Sequence, residues 1–305
     1  MHLLAAQPGG FADGEGIIDL DQSPADMVIL SAADGVLAML AEAAERLPSD
    51  FPSLRLANWR NLSKPAALDL YRDRTLDRAR VVVVSLIGGR AYWPYGVEQL
   101  TDWATAASDR QLIVVPGEDY HDDEVFALST VDYDTAHRVW RYTREGGADN
   151  AEALMRFVAA TCLDRGFDWR EPTVLARALI HHPQRLPATL ADWRARWPAA
   201  GHDRPVAVVV LYRSHLQNGN TAVFEALYEV LMARGLNPLP VAVASLKEPA
   251  CLAAIDELIE AADAAVVLNT TGFALRAATN AATASDPGTG RATFARDIPV
   301  LQLIP

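Results

Sequence analysis

The sequence predicts an α/β protein with two Rossmann-like or flavodoxin-like domains, each a mainly parallel sheet flanked by helices. Three observations carry that expectation. Short runs of valine, isoleucine and leucine alternate with longer segments of helical period, the alternation occurs twice, and a stretch dense in proline and tryptophan separates the two series. With 305 residues, 50% of them hydrophobic, the chain has material for one large core or two ordinary ones.

In the first series the strand candidates are His2 to Ala6, Met27 to Ser31, Arg80 to Ile87 and Gln111 to Pro116. Val36, Leu40, Ala43 and Leu47 fall on one helical face behind Asp34, a residue type suited to an N-cap. Pro65 after Ser63 opens a second helix carrying Leu68, Tyr71 and Thr75, because the fixed φ of proline suits the first turn. Val97, Leu100, Trp103 and Ala107 mark a third. From about Asp132 to Gly166 two consecutive helices are expected, one with Ala136, Val139, Trp140 and Thr143 on a face, the other from Asn150 to Arg165.

Arg170 to Pro205 holds Pro172, Pro183, Pro187, Pro198 and Pro205 with tryptophans nearby, which reads as too irregular for a sheet. The expected organisation is a first domain over 1–169 with trailing helices, a linker over 170–204 and a second domain over 205–305. That domain begins with the strand Val206 to Tyr212, then a helix with Val223, Leu227, Val230 and Leu231 in register and Gly235 closing it. Leu239 to Ala244, a helix with Leu252, Ile255, Leu258 and Ile259, Ala264 to Leu268 and Val300 to Ile304 complete the series. A strand running to the last residues suggests the front part of a longer polypeptide, with the second domain truncated.

Charge excludes some functions. The chain has 27 basic and 39 acidic side chains, a net charge of -12, whereas phosphate backbones demand concentrated cations, so no nucleic-acid partner is expected. Lys64 and Lys247 are the only lysines, so no polybasic run meets an anionic membrane surface. No apolar run approaches the ~18 residues of a membrane helix. The Leu3 to Ala6 run is cut short by Gln7, Pro8, Gly9 and Gly10, too soon for a signal peptide. Cys162 and Cys251 are far apart within helical segments, which builds neither a disulfide framework nor a thiolate cluster. A cytoplasmic protein is expected.

Ligands of open parallel sheets bind beyond the carboxyl ends of the strands, so the loops there carry the candidate chemistry. In the loop from Ser85 to Gly96, Gly88 and Gly89 permit close backbone approach and Arg90 supplies a forked cation. Tyr92, Trp93 and Tyr95 offer flat faces there, which either grip a planar carboxylated ligand or simply pack the loop onto the sheet. The loop from Tyr212 to Thr221 is the densest polar segment. His215 suits a general base or a metal ligand, Arg213 suits a carboxylate, and Ser214, Asn218, Asn220 and Thr221 lie beside the next helix. For Asn220 the favoured role is capping; for His215 the catalytic and structural roles are balanced. Asn269 and Thr271, after the strand ending at Leu268, face the same end or serve as turn residues.

His121-Asp-Asp-Glu124 has the composition of a hard metal site, but consecutive residues diverge and an acidic loop is usually just solvated. His181 and His182 lack a carboxylate or cysteine at ligand spacing. No phosphate loop, dinucleotide fingerprint, nucleophile elbow or His-Glu-x-x-His zinc motif is present, so any ATPase is supplied by another protein.

Six segments in order, the opening Met1-His-Leu-Leu, Pro52 to Asn58, Gly88 to Gly96, Tyr212 to His215, Gly235 to Pro240 and Leu268 to Phe273, resemble the N-terminal part of the CobN-type large subunit of aerobic cobaltochelatase. Arg213 to His215 and Thr271 to Phe273 are similar, more distantly, to the magnesium chelatase large subunit. The resemblance implies ATP-dependent insertion of cobalt(II), the metal substrate, into a corrinoid macrocycle, hydrogenobyrinic acid a,c-diamide, on the route to cobalamin. It also implies two partner subunits, one an AAA+ ATPase with ATP and magnesium bound there, and a chain several-fold longer than this one. Metallation needs a base, charge clamps and an apolar slot. His215 is accordingly the candidate base or transient metal ligand, and Arg90 and Arg213 the partners of peripheral carboxylates. Tyr92, Trp93 and Tyr95 are the candidate walls, and Ser214, Asn218, Asn269 and Thr271 further substrate contacts. Two other readings stand beside this one: a non-catalytic macrocycle-binding or subunit-docking head, and a magnesium chelatase fragment acting on protoporphyrin.

Overall fold

A computed structural model describes residues 17–183, 188–201, 203–272 and 294–303; the expected strand at His2 to Ala6 lies outside them. The chain divides into two compact units, Met1–Thr173 and Val174–Pro305.

In the first unit the elements run β1 (Met27–Ser31), α1 (Asp34–Ala44), β2 (Leu54–Asn58), α2 (Pro65–Arg74), β3 (Val81–Leu86), α3 (Pro94–Thr105), β4 (Gln111–Pro116), α4 (Asp123–Phe126), α5 (Tyr133–Glu145) and α6 (Ala148–Cys162). The four strands pair in parallel in the order β2-β1-β3-β4. Both faces of the inner strands are covered, which is why they read as unbroken valine and isoleucine. Met27, Ile29, Val81 and Val83 enter one core with Trp140, Leu154 and Phe157 of α5 and α6. Val28, Leu30, Val82 and Val84 alternate into the other with Leu68 and Trp103 of α2 and α3.

Two readings change here. β2 is absent from the strand expectations because Arg55 and Asn58 interrupt its apolar run; it is an edge strand, mostly half-buried, that needs no second apolar face. Asp34 is the first helical residue rather than the cap, and its carboxylate instead accepts from Asn58 Nδ2 at 2.7 Å.

The second unit runs β5 (Ala178–Ile180), α7 (Leu190–Arg194), β6 (Val206–Tyr212), α8 (Arg213–Gln217), α9 (Ala222–Ala233), β7 (Asn237–Val243), α10 (Pro249–Ala261), β8 (Ala264–Asn269) and β9 (Val300–Gln302). The sheet order is β5-β7-β6-β8-β9, with β5 alone antiparallel. The proline- and tryptophan-rich stretch is therefore not too irregular for a sheet, and the physical reason lies in β7. Pro238 and Pro240 lack N–H donors and occupy alternate positions, so they face away from β6 and leave that ladder intact. Their carbonyls accept from Trp197 Nε1 at 3.0 Å and from the His181 amide at 3.1 Å, both supplied by the stretch. Trp193 is fully buried, with its ring edge to Tyr228 and its indole N–H on the His181 carbonyl.

Helix α9 closes as expected. Gly235 has φ 85° and donates to Met232 O, and Leu236 donates to Leu231 O, which is a Schellman motif. Its inward face is Phe224, Tyr228 and Leu231, however, while Val223 and Val230 point to solvent. The helix is apolar on several sides, so period alone does not choose the face; the two rings take the core because they bury more surface. Among the described residues no helix is long and apolar enough to cross a membrane.

Candidate functional site

In each unit the chain leaves its first parallel strand to one side and returns on the other, so the order reverses at a switch point. In the second unit that point lies between β6 and β8. α8 and the residues up to Thr221 leave the carboxyl end of β6, and Thr270 leaves β8. Thr270 is tied down by its amide and hydroxyl, which donate to Val210 O at 2.9 and 2.8 Å.

His215 lies on α8, half-buried, with its ring edge to Phe224 at 4.7 Å between centres and 61° between planes. Burial holds its pKa below the ordinary histidine value, which favours the neutral imidazole and its free lone pair at neutral pH. Ser214 is exposed and Asn218 half-buried beside it. Thr221, not Asn220, precedes α9 at the N-cap position; the Asn220 amide instead donates to His215 O at 2.8 Å, turning the loop back over α8.

Arg213 faces the interior, 3% exposed, and its guanidinium donates to Leu175 O at 2.9 Å. Asn269 and Thr271 are fully buried. Asn269 Oδ1 accepts the amide and hydroxyl of Thr271 at 3.1 and 2.8 Å, and its amide donates to Gln302 Oε1 at 2.7 Å. Gln302 in turn donates to Thr271 O at 2.6 Å. These three residues, expected to face a ligand, are buried and hydrogen-bonded within the unit, as buried polar groups must be to be stable. His215, Ser214 and Asn218 keep some exposure at the same end of β6.

In the first unit the switch point lies between β1 and β3. Gly88 has φ 77°, and a Cβ there would meet the Tyr92 ring at 2.6 Å, so glycine is what lets the loop turn under Tyr92. Its amide donates to Glu118 Oε1 at 2.7 Å, from the loop after β4. Trp93 is buried and stacks on Trp59, 5.1 Å between centres and 14° between planes, while Tyr95 is half-buried and donates to Asp69 Oδ1 at 2.6 Å. Packing thus takes up Trp93 and ties down Tyr95; Arg90 and Tyr92, the latter 55% exposed, remain outward.

Sequence reasoning passed over Trp59, Asp69, Glu118 and Gln302, which position these loops. Each acts across a separation of 26 to 34 residues, for which no local signal exists. Among the described residues no group of three or more histidine, cysteine, aspartate or glutamate side chains is placed to hold a metal ion. A hollow of about 310 Å³ is lined by Glu152, Arg156, Trp169 and neighbours, none of them in the strand-end loops.

The family model described as CobN/Magnesium Chelatase matches residues 140–305, more than half of the chain. The chain belongs to the CobN/magnesium chelatase family. Relatives of this CobN-type chain extend the likeness to the first unit. It is 49% identical over 305 residues to the aerobic cobaltochelatase subunit CobN of Pseudomonas aeruginosa, covering 100% of this chain and 23% of that protein. It is 37% identical over 314 residues to the subunit of the same name from a Sinorhizobium species, covering 24% of it. Among solved structures, the catalytic subunit of cobaltochelatase from Mycobacterium tuberculosis superposes with a TM-score of 0.57 at 27% identity, over 80% of this chain and 18% of that one. The chain therefore spans about a quarter of the length of its curated CobN relatives.

Proposed function

We propose that this chain is the front region of the macrocycle-binding subunit of an ATP-dependent cobaltochelatase, which inserts cobalt(II) into hydrogenobyrinic acid a,c-diamide during cobalamin biosynthesis. The observation that carries this reading is 49% identity to a CobN subunit along all 305 residues. The chain carries no phosphate loop, which fits ATP and magnesium handled by an AAA+ partner, with a second accessory subunit completing the enzyme. A cytoplasmic location is part of the same reading.

Metal insertion removes ring N–H protons, and His215, with a pKa lowered by burial, has the chemistry of the acceptor or of a transient cobalt ligand. Ser214 and Asn218 supply hydrogen bonds beside it. Arg90 offers a bidentate clamp to a peripheral carboxylate and Tyr92 an apolar face. Arg213, Trp93, Tyr95, Asn269 and Thr271 act by holding these loops in place.

The test is absorbance titration with the corrinoid, together with chelation by the full-length subunit and its partners. His215→Ala is expected to lower the chelation rate by about 10²–10⁴-fold, the range for loss of a general base, with a smaller effect on macrocycle affinity. Unchanged values for both would remove His215 from the mechanism. A docking head is the second reading, favoured by how much of the expected binding set is internally engaged; it predicts no corrinoid binding by the 305-residue chain.

A further inference from the structure

The loop after β4 brings together groups that neither strand-end site uses. His121 in that loop lies with its ring centre 6.0 Å from that of His137 on α5, and both rest against Phe126 and Trp140, which are buried. Tyr133 stacks on His137 at 5.4 Å and 14°. The His121 side chain is 42% exposed and His137 is half-buried beside the exposed Tyr133.

Asp122 caps α4 through the Glu124 and Val125 amides, while Asp123 Oδ1 lies 2.8 Å from His121 Nε2. A carboxylate that accepts one ring N–H fixes the tautomer and leaves the lone pair on the other nitrogen, the arrangement found behind metal-bound histidines. Among the described residues the ring nitrogens of His137 make no hydrogen bond. Burial first, then the neighbouring His121 and Arg141, hold the His137 pKa below its ordinary value, against the opposing pull of Asp134.

We propose that His121 and His137 form a surface site for a first-row divalent cation, of which cobalt(II) is the one relevant to this family, with water in the remaining coordination positions. An ion about 2 Å from a nitrogen of each ring, at octahedral or tetrahedral angles, holds the ring centres roughly 4.5–5.5 Å apart, so the observed 6.0 Å has to close by about 1 Å on binding. Imidazole suits such ions and excludes magnesium and calcium, which take oxygen. Two protein ligands make an exchangeable site rather than a storage site. Its use as a staging point for the metal substrate rests on the chelatase reading; the binding itself does not.

The experiment is titration of the 305-residue chain with cobalt(II) chloride, followed by calorimetry and by visible absorbance of the bound ion. His121→Phe and His137→Phe keep the ring packing and remove the ligands. Each is expected to weaken a saturable binding step at least about tenfold, and the double variant to abolish it, with Asp123→Asn weakening it less. Isotherms that overlay for wild type and double variant, or no saturable step in the wild type, would overturn the proposal. Far-UV circular dichroism identifies any variant that fails to fold, in which case His121→Asn and His137→Asn replace it. Corrinoid titration of the same samples reports on the chelatase reading separately, so either can fail alone.

Discussion

Gly96 sits so close beneath Trp93 that an added Cβ would fall 2.0 Å from the indole, which is itself stacked on Trp59. Gly96→Ala is expected to destabilise the first unit by about 1–3 kcal/mol, the ordinary cost of overpacking, read as a lower urea midpoint. Arg213 poses the opposite question, since arginines usually serve solvent or ligand. Buried and hydrogen-bonded to Leu175 O, it is expected to cost about 1.5–3 kcal/mol when replaced by Ala, and Lys does not restore the fork. An arginine that only met a ligand would leave the denaturation midpoint where it was. The polar loop around His215 was legible in sequence because its residue types are reactive. Which of its members face inward was not, since burial is set by neighbours such as Leu175, distant in the chain.

At the scale of elements, Trp193 ties the proline-rich stretch to α9 and β7 through Tyr228 and His181. Trp193→Ala is expected to cost about 3–5 kcal/mol, as truncating a buried aromatic does; a mere linker residue would cost almost nothing. On α9, Phe224→Ala carries a similar cost, whereas Val223→Ser and Val230→Ser stay within about 0.5 kcal/mol, because the valines are 55% and 54% exposed. Thermal melts of these variants decide which face is the core. The helix itself was legible from its apolar content and from Gly235. Its orientation was not, because a helix apolar on several sides has a weak periodic signal. The edge strands β2 and β5 escaped notice for the same kind of reason: with one neighbour or a few paired residues they need no continuous apolar run.

Across the whole molecule the histidines and carboxylates with shifted pKa values share a sign. Burial pushes His181 down to about 4, so the unfolded chain takes up a proton below pH 6.5 that the folded chain refuses until about pH 4. Stability is complete above pH 6.5 and falls as the pH drops through that window, by on the order of 2 kcal/mol at pH 5. His137 and His215 act in the same direction. Asp26 and Asp132 are lowered mainly by hydrogen bonds from Ser53 and Thr135, and Glu248 by those from Arg177, so their contribution is present above the ordinary carboxylate range and is lost below it. Denaturation at pH 7.5 and pH 5 is expected to show a smaller difference in His181→Gln than in wild type; an equal difference would place the acid sensitivity elsewhere.

What the amino-acid order determined alone was the class of architecture, most strand and helix positions and the family, since β-branched runs, helical period and separated motifs are local properties. Only the tertiary structure decided which faces are core, that the proline-rich stretch completes the second sheet, and that Arg213, Asn269 and Thr271 are buried. It also set His121 beside His137. Each of these depends on which distant groups meet, and hydrogen bonds and ring contacts between residues tens of positions apart leave no periodic trace in the chain.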